Sequence, residues 1–116
     1  MNDKEETVMG VLVSQWLGIG DCIMRCRAVK DILVYGSRAK GTYRRFSDID
    51  ITLKGEDLQH TDLFTIYNQI DDLNLPYEID LSIMDEIDNP AVVDEINRYS
   101  VSLKEILSKY EKVSDI

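Results

Sequence analysis

Ten residues separate Ser37 from Asp48, and that interval joins two features with chemical potential. The first is Gly36-Ser37, which closes the apolar run Ile32-Leu33-Val34-Tyr35. Glycine has no Cβ, so phosphate oxygens can approach the backbone of such a turn closely, and Ser37 adds a hydroxyl donor. The second is Asp48-Ile49-Asp50, which opens the run Ile51-Thr52-Leu53. On a strand, Asp48 and Asp50 leave the same face while Ile49 and Ile51 point the other way into a core. Two carboxylates presented together form a hard, anionic oxygen site of the kind that takes magnesium.

Apolar spacing indicates the elements that must position these groups. Val8, Val11, Leu12, Trp16 and Ile19 recur at helical intervals and predict an amphipathic helix over about 7–17, interrupted by Gly18 and Gly20. A short second helix is expected from Cys22 to Val29. Asp31–Tyr35 reads as the first strand, 36–47 as mainly loop with a helical turn at its start, and Asp48–Lys54 as the second strand. Leu63, Ile66, Tyr67, Ile70 and Leu73 trace one face of a helix over about 61–73, ended before Pro76. Tyr77, Ile79, Leu81 and Ile83 then alternate with Glu78, Asp80 and Ser82, which predicts a third strand. Asn89-Pro90 has the form of an N-cap followed by proline at the first helical position, with Val92, Val93, Ile96 and Tyr99 as its apolar side. Ser102 and Glu105 have capping-box spacing for a last helix carrying Leu103, Ile106, Leu107 and Tyr110. No repeat or linker divides the chain, so 1–116 is read as one domain.

Composition narrows the function classes. With 22 acidic and 13 basic side chains the formal charge is −9, which opposes a long polynucleotide substrate and direct nucleic-acid binding. The bases are uneven: Arg25, Arg27, Lys30, Arg38, Lys40, Arg44 and Arg45 all fall around the Gly-Ser turn. That excess suits a triphosphate or an acidic protein partner, and it equally suits a solvated cationic face. No apolar stretch approaches the roughly 20 residues that span a bilayer. The acidic start, Met1-Asn2-Asp3-Lys4-Glu5-Glu6, has the wrong chemistry for a secretory leader, so a cytoplasmic protein is expected. Cys22 and Cys26 lack partners for a zinc site and read as reduced, packed thiols. His60, the one histidine, reads as a surface or cap residue.

Asp80 is an acid between Ile79 and Leu81, inside a strand whose neighbours favour burial. If that strand pairs beside the second, Asp80 joins Asp48 and Asp50 on one face. Without a cation, carboxylates about 4 Å apart repel by about 4 kcal/mol at an effective dielectric of about 20, and a divalent ion converts that repulsion into coordination. The competing structural reading has Asp48 capping a turn, Asp50 finding a basic partner and Asp80 at an exposed edge.

The segments Gly36-Ser37-Arg38-Ala39-Lys40-Gly41 and Ser47-Asp48-Ile49-Asp50-Ile51, followed by a strand aspartate, closely resemble the minimal nucleotidyltransferase (MNT) family of the DNA polymerase beta superfamily. The resemblance covers nearly the whole chain. It implies an α+β fold, with three or four strands in a mixed sheet and helices packed against it. It further implies that Gly36 and Ser37, with Arg38 and Lys40, hold the phosphates of ATP. Asp48, Asp50 and Asp80 would be the catalytic carboxylates and the ligands of two Mg2+ ions. Glu78 shares the face of Asp80 and is the second choice for the third role, while Arg44 and Arg45 would serve either nucleotide or partner. Proteins of this kind are antitoxins that transfer AMP from ATP to a tyrosine hydroxyl of a HEPN ribonuclease toxin, and that is the expected activity and partner. Two alternatives stand beside it: an antitoxin that acts by covering the toxin, with its chemistry unused, and a transferase acting on a small hydroxyl compound such as an aminoglycoside.

Overall fold

Strict alternation in three segments builds a sheet with one oily and one polar face. A computed structural model of the protein describes residues 6–114; the acidic segment 1–5 lies outside them. The elements run β1 (Thr7–Val8), β2 (Val11–Leu12), α1 (Val13–Met24), β3 (Asp31–Tyr35), α2 (Gly36–Lys40), β4 (Ile49–Lys54), α3 (His60–Asp71), β5 (Ile79–Ile83), a 3-10 turn (Met84–Glu86), α4 (Pro90–Tyr99), β6 (Val101–Ser102) and α5 (Leu103–Ser114). The main sheet has the order β5-β4-β3-β6. The pairs β3–β4 and β3–β6 are antiparallel, whereas β4–β5 is parallel, with α3 as the crossover between them. This is the mixed α+β sheet that the sequence predicts.

Ile32, Val34, Ile49, Ile51, Leu53, Ile79 and Ile83 are buried in one core with Trp16, Ile19 and Ile23 of α1, Ile66 and Ile70 of α3, and Leu103 and Leu107 of α5. Each fully buried aliphatic side chain contributes about 1.5–3 kcal/mol, so this three-helix layer fixes which face of the sheet is covered. The intervening residues Leu33, Tyr35, Asp50, Thr52, Asp80 and Ser82 occupy the opposite face. There α4 lies beside β3 and α2 and buries Ile96.

Three expectations are corrected. The helix expected over 7–17 is a hairpin followed by α1, because Met9 and Gly10 both have positive φ, 54° and 76°, as a two-residue hairpin turn requires. The indole Nε1 of Trp16 donates to the carbonyl of Val8 at 2.8 Å and ties that hairpin to α1. Gly18 and Gly20 do not interrupt α1, which runs through both; a Cβ on Gly20 would overlap Leu107 Cδ1, so the glycine permits close approach of α5. There is no separate helix from Cys22 to Val29: Cys22 ends up inside α1, and 25–30 is a turn leading into β3. The later elements match more closely. The Asn89 side chain accepts the N–H of Ala91 at 3.0 Å, as the N-cap reading requires, and the Ser102 hydroxyl accepts the N–H of Glu105 at 3.4 Å.

Candidate active site

The site begins at the end of β3, where the chain turns sharply into α2. Gly36 has φ 76°, and a Cβ there would overlap Asp50 Oδ2 and lie 3.2 Å from Asp50 Cγ. Only glycine lets the carboxylate of β4 sit against this backbone. Ser37, half-buried, follows as the second residue of α2, and its carbonyl accepts the N–H of Thr42 at 3.0 Å, which folds the connecting loop back on the turn.

Register supplies the rest. Asp50 is paired directly with Tyr35 on its antiparallel side and with Asp80 on its parallel side. Neighbouring strands lie about 4.7–4.9 Å apart, so Asp50 and Asp80 stand side by side on the polar face. Asp48 immediately precedes β4 and is exposed, as is Asp80, whereas Asp50 is half-buried. Burial raises the pKa of the Asp50 carboxyl, and repulsion from Asp80, Asp48 and Glu95, in that order, raises it further. Tyr35 is also raised, by burial first and then by Asp50. Below this row Ser82 donates its hydroxyl to Thr52 Oγ1 at 2.8 Å, satisfying the fully buried threonine.

Glu95 is a contributor that the sequence reading missed. It sits on α4 three residues after Val92 and four before Tyr99, so a charge within the apolar stripe was the available signal. Its carboxylate meets Lys40 Nζ at 3.6 Å, and the same ammonium lies 6.0 Å from the Tyr99 ring. Lys40 therefore stands at the site, paired with a carboxylate. Arg38, expected as a phosphate contact, is instead 1% exposed, and its guanidinium donates to the backbone carbonyls of Met9 and Ser47 and lies over the rings of Tyr43 and Tyr77. Of the other bases, Arg25 pairs with Asp21 at 3.0 Å on α1, whereas Arg44 and Arg45 are exposed on the loop before Asp48. Glu78 is exposed just before β5, and its carbonyl accepts the N–H of Ile49, which fixes the β4–β5 register. His60 pairs with Glu86 at 2.8 Å on the surface, away from the carboxylates.

Among the described residues no three His, Cys, Asp or Glu side chains are gathered tightly enough to hold a metal ion by themselves. The donor set nevertheless fits a hard cation: it is all carboxylate oxygen, and its members repel one another. Magnesium is ordinarily held by one or two carboxylates together with water and substrate phosphates, not by a protein cage.

The mixed sheet thus presents adjacent strand carboxylates beside a Gly-Ser turn. Residues 19–109 match the family model described as Polymerase beta, Nucleotidyltransferase, and the chain belongs to that family. Three solved structures share the fold. A toxin–antitoxin with AMP-PNP is 17% identical at a TM-score of 0.63, covering 86% of this chain and 90% of that one. A mutant of the toxin–antitoxin MntA-HpeT is 13% identical at 0.62, covering 86% and 89%. A tri-AMPylated Shewanella oneidensis HEPN toxin in complex with MNT antitoxin is 16% identical at 0.53, covering 87% and 90%. No curated protein matches the chain.

Proposed function

We propose that this nucleotidyltransferase moves AMP from ATP to a tyrosine hydroxyl of a HEPN ribonuclease toxin and thereby acts as an antitoxin. The observation that carries the reading is the Asp50–Asp80 register pair packed against Gly36. Like charges placed directly opposite on a sheet are destabilising, and that arrangement is best accounted for by a cationic ligand. The likeness to a toxin–antitoxin holding AMP-PNP and to a complex with an AMPylated HEPN toxin supports both nucleotide and acceptor.

In this reading the turn at Gly36 and Ser37 receives the β- and γ-phosphates, and Asp48, Asp50 and Asp80 are the ligands of Mg2+. Magnesium bound there would neutralise phosphate charge and stabilise the entering and departing oxygens. The acceptor oxygen forms a bond to the α-phosphorus as the bond to the bridging oxygen breaks, and pyrophosphate departs with that electron pair. The Asp80 carboxylate orients the acceptor hydroxyl and accepts its proton as the oxygen attacks. Lys40, which pairs with Glu95, would turn to phosphate, and exposed Arg44 and Arg45, the latter over Phe46, would form the rim met by a protein acceptor.

The test incubates the protein with labelled ATP, Mg2+ and the candidate toxin. Label on a toxin tyrosine, lost when Asp48 and Asp50 are changed to Asn, supports the reading; an unlabelled toxin rejects it. If the Asn variant neutralises the toxin as well as the parent does, covering the toxin is the function instead.

A further inference from the structure

We propose that Arg38 is a positioning residue that locks together the three segments presenting Ser37, Asp48 and Asp80. In this role it sets nucleotide and metal affinity without touching either ligand. The inference rests on the proposed site and assigns to Arg38 a task other than phosphate contact.

The contacts of the buried guanidinium define the role. Nη1 donates to the carbonyl of Met9 at 3.0 Å, in the turn of the β1–β2 hairpin. Nη2 donates to Ser47 at 2.8 Å and Nε to the same carbonyl at 3.3 Å, while Nη2 also reaches Arg45 and Arg44 at 3.3 and 3.5 Å. The carbon Cζ lies 5.0 Å from the centroid of Tyr43 and 4.7 Å from that of Tyr77. Met9 anchors the guanidinium to the hairpin, and other partners adjoin the site. Arg38 follows Ser37, Ser47 precedes Asp48, and Tyr77 leads into β5 three residues before Asp80.

Among the described residues no carboxylate pairs with this cation. A buried charge is tolerated only when its donors are satisfied, and here carbonyls and π-faces do so in place of a counter-ion. An aliphatic side chain would fill the volume but could not hold three backbone segments in one geometry. Lysine could not either, because one nitrogen cannot span Met9 and Ser47 as the planar fork does. The arrangement is therefore specific to arginine and directed at the backbone around the carboxylates.

Arg38→Lys and Arg38→Met test this, together with Gly10→Ala. The last acts from the hairpin, because a Cβ there would lie 2.9 Å from Arg38 Nη1 and 2.8 Å from Tyr43 Cζ. Ile70→Val, in the core beneath the sheet, provides a destabilised control. Titration calorimetry with a non-hydrolysable ATP analogue and Mg2+ should show affinity reduced about tenfold to hundredfold in Arg38→Lys, the scale typical of losing a residue that orients ligand-bearing groups. Gly10→Ala should move it the same way, and Ile70→Val should lower the melting temperature alone. Affinities within about twofold of the parent in both Arg38→Lys and Gly10→Ala would overturn the proposal. Should Arg38→Met not fold, those two variants carry the comparison. If the parent binds no analogue, the proposed function fails separately, and the hub is then read by amide hydrogen exchange. Faster exchange confined to residues 36–38, 47–49 and 78–80 in Arg38→Lys supports it; exchange raised evenly across the sheet overturns it.

Discussion

Replacing Gly36 by alanine separates backbone strain from damage to the site. An alanine held at φ 76° costs about 1–2 kcal/mol, since the left-handed region brings Cβ against the carbonyl. In a domain of this size that lowers the melting temperature by roughly 5–10 °C. The new methyl also overlaps Asp50 Oδ2, so the carboxylate must retreat by roughly 1 Å, and a misplacement of that size reduces turnover by about a hundredfold. The hundredfold loss corresponds to about 2.7 kcal/mol of barrier. Gly41→Ala is the matched control. Its φ is 81°, but a Cβ there meets nothing within 4 Å, so it should carry the same strain and leave AMP transfer close to that of the parent. Both variants would be melted by circular dichroism, then assayed for transfer well below their midpoints. Equal activity in the two variants would refute the claim that the absence of a side chain at Gly36 makes room for Asp50.

The carboxylate cluster should leave its mark on stability. Because the Asp50 carboxyl is raised from 3.8, the native state binds more protons there than the unfolded chain; this contribution is fully present below 3.8 and is lost as pH rises through the higher native value. Asp50→Asn should flatten that limb of the melting profile, and above it the variant should be the more stable by about 1 kcal/mol or less, given screening at exposed Asp80; an unchanged profile would contradict the placement. Added Mg2+ at ten times its dissociation constant should stabilise the parent by about 1.4 kcal/mol and Asp50→Asn far less, a difference that thermal melts with and without chelator would reveal. Ser82→Ala leaves the buried Thr52 hydroxyl without its partner and should destabilise by about 1–2 kcal/mol in urea titration; a neutral result would mean that Thr52 finds another partner.

Most of the sheet was legible because its strands alternate and its helices carry explicit end signals. The β4–β5 segments alternate Ile-Asp-Ile and Ile-Asp-Leu, and Asn89-Pro90 starts α4 where its cap chemistry says it should. The hairpin was not legible, since Val8, Val11 and Leu12 mimic helical spacing and its turn places Met9, not the usual Asn or Asp, in the left-handed region. Glycines within α1 read as breakers because their purpose lies in contacts distant in sequence, Gly18 facing Leu73 and Gly20 facing Leu107. β6 is two residues long and gains its identity only from pairing with Leu33 and Val34. The same asymmetry applies to the site. Residue types and spacing predicted that Asp50 and Asp80 share a face, which the β4–β5 register shows, while the Glu95 contribution and the burial of Arg38 depend on contacts across α4, the hairpin and Tyr77, which no local pattern encodes.

The parallel pairing of β4 with β5 is where folding and chemistry are in tension. Alternation fixes which face Asp50 and Asp80 take, because a one-residue slip of either strand would turn Ile49, Ile51, Ile79 and Ile83 out of the core. The apolar layer therefore dictates that two acids become direct neighbours, although like charges in that position oppose folding. Burial of several isoleucines, each contributing about 1.5–3 kcal/mol, outweighs a partly screened repulsion on the order of 1 kcal/mol. The sheet thus holds its carboxylates together by packing on the far side. The negative potential created on the polar face is thereby present before any ligand arrives, and under the proposed function a cation-bearing triphosphate would gain the energy that the unliganded fold gives up.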